Sequence, residues 1–199
     1  FIWENFCDWY IELVKPRLFD KENPTGKTAQ YVLTYVLSNT MKLLHPFMPF
    51  ITEEIWQHLP HEGESIMISE WPEYDEKLNF PKDVESMELI MQSISAIRNR
   101  RAEMNVPPSK KAKVIIVTDK TDVFKQGTAF FEKLASASEA VVQTDKSGIS
   151  DNAVNVVVPS AEVFLPLDEL VDKTKELERL NAEKKKLEGE IKRVEGKLN

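Results

Sequence analysis

The chain has 199 residues, of which 42% are hydrophobic and 30% are charged, and its formal net charge is -7. This length and this hydrophobic share suffice for a buried core in one large or two small domains. The longest apolar runs, VIIV at 114–117 and VVV at 156–158, are far shorter than the ~20 residues that cross a bilayer, so we expect no membrane segment and no membrane partner.

Four amphipathic helices are predicted in the first half of the chain. Apolar residues recur every three or four positions over residues 1–20, 28–44, 50–59 and 84–104. Two prolines, Pro46 and Pro49, separate the second helix from the third, and Pro107 and Pro108 follow the end of the fourth. These helices predict a bundle, which we assign to a first domain at 1–108.

After residue 108 the pattern changes to short runs of β-branched residues around one helix. The segments AKVIIVTD, EAVVQT, AVNVVVP and AEVFLPL predict strands, and DVFKQGTAFFEKLAS predicts a single helix between the first two. The segment VVVPSAEVF predicts a hairpin that turns at Pro159 and Ser160. We therefore expect a small α/β module at 109–167.

The last segment, 168–199, is rich in Lys, Glu and Leu and contains no proline. With Leu170 at position a of a heptad, most a and d positions are apolar: Leu177, Ile191 and Leu198 at a, and Leu180, Leu187 and Val194 at d. This pattern predicts a coiled-coil helix, which needs a helical partner and could supply one by self-association. The whole fold is thus expected to be mainly α, a helical bundle followed by a small α/β module and a coiled-coil helix.

Basic side chains are concentrated at one place in this acidic chain. We call Arg98, Arg100, Arg101, Lys110, Lys111 and Lys113 the basic segment. One explanation is structural, because arginines in the last turn of a helix complement the helix dipole. The other is functional: two successive elements present cations around one bend, which suits a phosphate backbone.

Other candidate contacts also have one structural and one functional explanation. Trp9, Tyr10 and Phe47 have rings that could stack on bases, although each stands at a helical spacing or beside proline, as core residues do. Lys184, Lys185 and Lys186 could contact phosphate, although a solvated coiled-coil flank is the ordinary explanation for such a run.

No catalytic or metal-binding motif is recognised. His45, Glu54, His58 and His61 have conceivable ligand spacing, but the H-E-x-x-H pattern and a cysteine pair are missing, so we expect no metal ligands. We also find no glycine-rich phosphate loop and no G-x-S-x-G. We therefore expect no catalytic residues, and the single cysteine, Cys7, fits a reducing cytoplasm.

Several segments, taken in order, resemble the C-terminal part of the valyl-tRNA synthetase family, a class I aminoacyl-tRNA synthetase family. They are FCDWYIELVKPRL, LLHPFMPFITEEIWQHL, SEWP, AIRNRRAEMNVPPSKK and the closing ELERLNAEKKKLEGEIKRVEGKLN. LLHPFMPFITEEIW is shared with isoleucyl and leucyl relatives, whereas FCDWYIEL and the closing heptads favour the valyl enzyme. The resemblance covers essentially the whole chain.

The resemblance implies a helical anticodon-binding domain, an adjacent α/β module and a coiled-coil arm that contacts the body of a valine-specific tRNA. The implied tRNA-binding residues are Arg98, Asn99, Arg101, Lys110, Lys111 and Lys113, with Trp9, Lys15 and Arg17 on the first helix and Lys184, Lys185 and Lys186 on the arm. We expect the parent enzyme to attach valine to its tRNA.

The family's catalytic signatures, H-I-G-H and K-M-S-K-S, and its editing domain are missing from this sequence. The resemblance therefore implies that ATP and magnesium belong to the catalytic domain of the parent, which would be a partner of this segment in the same chain. Three other hypotheses stay open: a piece of an isoleucyl or leucyl enzyme, a structural module that dimerises through 168–199, and a metal hydrolase around His58.

Overall fold

A computed structural model describes residues 1–170, 184, 187–189 and 191. The chain divides into two compact units, Phe1–Asn79 and Phe80–Asn199. The domain limits that we predict at 108 and 167 stay predictions. Most of the predicted coiled-coil helix at 168–199 lies outside the described residues. Among those that are described, no helix has the length and apolar character needed to span a membrane.

The first unit consists of helices. A π-helical segment, Ile2–Ile11, continues into α1 (Glu12–Phe19), and α2 (Gly26–Leu44) and α3 (Pro49–Gln57) follow. Two 3₁₀ turns, Ile66–Ile68 and Glu76–Leu78, interrupt the irregular segment after α3. The three helices predicted in this region are thus present, and the helix predicted at 1–20 is a π-helical and an α-helical stretch in succession.

The core of the first unit lies where α2, α3 and the first 3₁₀ turn meet. Met41, Trp56 and Ile66 are its buried residues. Glu53 fastens the turn to α3, because its carboxylate accepts hydrogen bonds from Ser65 Oγ at 2.8 Å and from the Ile66 backbone N–H at 3.2 Å. The irregular segment is therefore held on the helices by both apolar and polar contacts.

The second unit begins with the longest helix, α4 (Pro81–Glu103), and continues with β1 (Ala112–Val117), α5 (Thr121–Gln126), α6 (Thr128–Leu134), β2 (Ala137–Gln143), β3 (Ala153–Val158), β4 (Ala161–Pro166) and α7 (Leu167–Leu170). Helix α4 packs against β3 and α5. Ile94 and Ile97 of α4 are fully buried. The fourth predicted helix is present, but it is grouped with the sheet rather than with the first three, because its apolar face packs there.

The sheet has the strand order β2–β1–β4–β3. β1 and β2 are parallel, whereas β1 with β4 and β3 with β4 are antiparallel. The predicted hairpin is confirmed: β3 and β4 are joined at Pro159 and Ser160, and Ser160 has a φ of 62°. β1 and β4, the two central strands, are the most buried of the four, which is why they read as nearly continuous apolar runs in the sequence.

The prediction of a single helix between β1 and β2 is wrong in one respect. The structure contains two helices there, α5 and α6, which meet at Gly127. A Cβ atom at residue 127 would lie 2.8 Å from Cδ1 of Ile90 on α4. A larger residue at 127 would therefore have to displace the Ile90 side chain of α4, a constraint that is not visible in the local sequence.

We expect Val163→Ala to lower the free energy of unfolding of the second unit by about 2 kcal/mol, because it removes two methyl groups from a filled interior. Val163 is fully buried on β4, whereas Val157 on the paired strand β3 is 75% exposed. Val157→Ala is the matched control and should change stability by less than about 0.5 kcal/mol. Hydrogen exchange of the β1 and β4 amides in denaturant measures both, and equal effects would contradict the assigned strand register.

The first unit should lose stability in acid through Glu53. Hydrogen bonds from Gln57, and then from Ser65 and the Ile66 N–H, lower the pKa of Glu53 against the opposing effect of its partial burial. Because the folded-state pKa lies below the unfolded value, the stabilisation is complete above the ordinary pKa of 4.5 and is lost as the pH falls below it.

Glu53→Gln should therefore reduce the acid dependence of unfolding, whereas the neighbouring Glu54→Gln, at an exposed position, should leave it as in the wild type. Urea unfolding followed by tryptophan fluorescence between about pH 3 and pH 6 reports on this unit. All four tryptophans lie in residues 1–79. An unchanged acid dependence in Glu53→Gln would rule out this role.

Candidate nucleic-acid interface

The basic segment is built around the turn that ends α4. The helix ends at Glu103, Met104 caps it, and Asn105 takes a left-handed conformation with a φ of 53°. The Val106 N–H then donates to the Arg101 carbonyl at 2.9 Å, which closes the last turn. Pro107 and Pro108 prevent the helix from continuing, and the Lys110 N–H donates to the Pro107 carbonyl at 3.0 Å. The chain is thereby turned back into β1.

Arg101 lies inside this turn. It is 5% exposed, and its Nη2 donates hydrogen bonds to the carbonyls of Lys110 and Pro107. Burial lowers the pKa of Arg101 from its ordinary value. Its guanidinium is thus occupied by backbone acceptors and has almost no surface to offer a phosphate. The geometry gives Arg101 the task of holding the turn, and we leave it out of the proposed contact surface.

Three other cations of the basic segment also have partners within the second unit. Arg98 Nε donates to the Leu134 carbonyl at 2.6 Å, at the end of α6. Arg100 pairs with Glu103 at 2.9 Å, and Lys113 pairs with Glu139 at 3.2 Å. Each arginine thus has a partner near a helix end, and the explanation that they complement the helix dipole stays a hypothesis. Arg98 and Arg100 remain exposed overall.

Lys110 and Lys111 differ from these residues. Lys111 is exposed and Lys110 is half-buried, and no carboxylate of the described residues pairs with either ammonium group. Asn99 is exposed on the last turns of α4. Near the α4 turn, which Arg101 supports from inside, the structure thus places an exposed amide and two lysines that have no carboxylate partner among the described residues.

The candidates on the first helical stretch belong to the other unit. Lys15 pairs with Glu12, and Arg17 donates to Thr25 Oγ1 at 2.9 Å and to the Thr25 carbonyl at 3.2 Å. Trp9 is half-buried. Arg17 therefore ties the end of α1 to the residue before α2, and none of these three is a bare surface group.

Of the other predicted stacking candidates, Tyr10 is half-buried and its ring lies 5.8 Å from that of Phe6. Burial raises the pKa of Tyr10, and Arg17 opposes this shift. Phe47, in contrast, is 83% exposed, so the core explanation for it is wrong.

The remaining candidates are the three lysines of the predicted coiled-coil helix and the histidines that were considered as metal ligands. Lys184 is exposed and lies 3.9 Å from Glu188, whereas Lys185 and Lys186 lie outside the described residues. His58 contacts the Glu54 carbonyl, and His61 lies against the ring of Trp56 at 4.0 Å. Within the described ranges, no group of three His, Cys, Asp or Glu residues is placed to hold a metal ion.

Two aromatic residues at the surface of α2 were not among the candidates predicted from the sequence. The spacing of Tyr35 places it on the apolar stripe of the second helix, yet the structure leaves 43% of Tyr35 and 71% of Tyr31 exposed. The signal that could have identified them is also their spacing, because Lys27, Tyr31 and Tyr35 follow one another at four-residue intervals along one helix.

Comparison with known proteins identifies the relatives of this chain. The family described as the anticodon-binding domain of tRNA ligase matches residues 1–116. A valine–tRNA ligase of Clostridium perfringens is 55% identical over 177 residues, which are 88% of this chain and 20% of the relative. The Clostridium acetobutylicum ligase of that name is 50% identical over 177 residues, with the same coverage. The Bacillus anthracis ligase is 45% identical over 175 residues, or 86% of this chain and 20% of the relative. The chain thus spans about a fifth of the length of the curated relatives it matches.

Arg101→Met should lower the free energy of unfolding of the second unit by about 1 to 3 kcal/mol, because the Lys110 carbonyl loses the donor that Arg101 supplies, whereas the Pro107 carbonyl keeps the Lys110 N–H. Arg100→Met is the matched control: it removes the same charge from an exposed ion pair and should cost less than about 0.5 kcal/mol. Hydrogen exchange of residues 104–117 measures both effects. Equal stability of the two variants would show that Arg101 does not hold the turn.

Proposed function

Because the chain belongs to the family of anticodon-binding domains of tRNA ligases, we propose that it binds the anticodon arm of a tRNA and that this is the tRNA charged with valine. The family match carries the first part of this proposal. The names of the relatives support the second part, since all those compared above are valine–tRNA ligases. Their identities favour the valyl enzyme over the isoleucyl and leucyl alternatives.

The geometry of the α4 turn supports an interaction with phosphates. Lys110, which is half-buried, and Lys111, which is exposed, follow the end of the helix that carries the exposed Arg98 and Asn99, and Arg101 holds the backbone of the turn through the Lys110 carbonyl. Because the backbone of the turn is already ordered, binding of a phosphate has to immobilise only the lysine side chains. The contact surface that we propose is therefore Arg98, Asn99, Lys110 and Lys111, with Lys113 at its edge beside Glu139.

Phosphate contacts alone do not distinguish one tRNA from another, because every tRNA has the same backbone. Discrimination in RNA comes mainly from unpaired bases, which stack on flat side chains and form hydrogen bonds through their edges. We therefore propose that valine specificity depends on the bases of the anticodon loop and that the basic segment supplies the salt-dependent part of the affinity.

The activity of the whole ligase extends this proposal. We propose that the parent protein attaches valine to its tRNA in the cytoplasm, with ATP and magnesium bound by its catalytic domain, and that this domain is a partner of the present segment in the same chain. The predicted coiled-coil helix, with Lys184, Lys185 and Lys186, is proposed as a second contact with the tRNA. If the predicted coiled-coil helix instead serves self-association, deletion of 171–199 will abolish dimers and leave RNA binding unchanged.

The test is a salt titration of the chain with an RNA stem-loop that carries the anticodon arm of valine tRNA. Lys110→Ala/Lys111→Ala should weaken binding and lower the slope of log K against log salt by about 2, because each lysine neutralises one phosphate. Lys82→Ala/Lys125→Ala, which removes the same charge from exposed positions of the same unit, should leave the slope unchanged.

A second stem-loop with altered anticodon bases tests the specificity. Tighter binding of the valine loop is the expected result. Equal binding of the two loops with a steep salt dependence would leave only phosphate attraction and contradict valine recognition. No binding to either loop at low salt would contradict the whole proposal and leave the basic segment with a structural role.

A further inference from the structure

Helix α2 carries an exposed pair of aromatic rings. Tyr31 and Tyr35 are one helical turn apart, with their ring centroids 6.3 Å apart and their planes inclined by only 20°. Tyr31 is 71% exposed and Tyr35 is 43% exposed, so broad ring surfaces face the solvent. Large aromatic faces are often buried, and the exposed faces of these two nearly parallel rings are of the kind on which other rings stack.

The surroundings of these rings are polar and basic. The tyrosines line a groove of about 730 Å³, together with Lys27 at one end and Lys42 at the other. Lys27 is exposed, and no carboxylate of the described residues pairs with it. No Asp or Glu is among the described residues that line the groove. In a chain with a net charge of -7, a groove with two lysines and no acid is locally favourable to an anion.

The groove also offers hydrogen-bonding groups that can read the edge of a base. Asn39 Nδ2 donates to the Tyr35 carbonyl at 3.0 Å, which fixes the amide and leaves its Oδ1 as an acceptor. Gln30 is exposed and supplies both a donor and an acceptor, and Ser38 adds a hydroxyl group. Aromatic faces for stacking, lysines for phosphates and amides for base edges are the combination that binds unpaired nucleotides.

We infer that the Tyr31–Tyr35 face of α2 is a stacking platform for unpaired bases of RNA. This inference rests on the proposed function, because it names the surface that would hold loop nucleotides. A protein partner is the less suitable occupant. The neighbouring groove on α2, which is lined by Phe1, Ile2 and Leu43 among others, is mainly apolar and fits a protein surface better. The platform groove, by contrast, is lined mostly by polar residues besides its two tyrosines, among them Lys27, Gln30 and Asn39.

The test measures how tightly the full chain binds two seven-nucleotide RNAs. One has the loop sequence of the valine anticodon arm, and the other has the same backbone with abasic sugars. Tyr31→Ala and Tyr35→Ala should each weaken binding of the base-containing RNA by about tenfold. Neither substitution should alter binding of the abasic RNA, which retains every phosphate. Tyr31→Phe/Tyr35→Phe keeps both rings and should bind within about twofold of the wild type.

Tyr74→Ala is the matched control, because Tyr74 is 80% exposed in the same unit and lies outside the groove. Circular dichroism of each variant verifies that α2 is intact.

Equal binding of the base-containing RNA by wild type and Tyr31→Ala/Tyr35→Ala, with binding still weakened by Lys110→Ala/Lys111→Ala, would overturn the platform and leave the proposed function standing. Loss of binding in the tyrosine variants, with no effect of the lysine variants, would support the platform and contradict the proposed phosphate surface. No binding of either RNA, or of the stem-loop, by the wild type would overturn both.

Discussion

The hydrogen bonds from the buried guanidinium of Arg101 to the carbonyls of Pro107 and Lys110 are the contacts on which the basic surface depends. An arginine that leaves water needs compensating acceptors, and two carbonyls of a proline-interrupted turn supply them. The turn in turn needs a donor, because Arg101 supplies the hydrogen bond to the Lys110 carbonyl, and the Pro107 carbonyl accepts from both Arg101 and the Lys110 N–H. This mutual requirement fixes the path of the backbone between α4 and β1 and, with it, the position of Lys110 and Lys111.

Charge in this chain is therefore divided between structure and surface. Arg98, Arg100, Arg101 and Lys113 have partners within the second unit, and their positive charge is partly neutralised or buried there. Lysines without a carboxylate partner among the described residues lie at the α4 turn and along α2. A chain with a net charge of -7 repels a polyanion at long range, so these cations act over short distances, within the Debye length of about 10 Å at 0.1 M salt. Binding by such a surface is expected to be strongly salt-dependent and to need additional contacts with bases.

Most of the fold could be predicted from the sequence because its signals are local. Helices α2, α3 and α4 follow from apolar residues at helical spacing and from prolines at their ends, and β1 and β4 follow from runs of β-branched residues. The close packing of Gly127 against Ile90 could not be predicted, because Ile90 lies on a helix that is distant in the sequence. The packing of α4 against β3 and α5 could not be predicted for the same reason: an apolar stripe shows that a helix is buried but not what covers it.

The sequence by itself determined the composition of the candidate site: a concentration of cations around a proline-interrupted helix end, and a family resemblance that the comparisons confirmed. Only the tertiary structure decided which of these cations face the solvent. Arg98 and Arg101 look alike in the sequence, yet one is exposed overall and the other is enclosed by the turn that it supports. Likewise, Tyr35 and Met41 share a helix and an apolar character, but only Met41 reaches the core. Burial depends on contacts between residues far apart in the chain, and a local pattern does not contain that information.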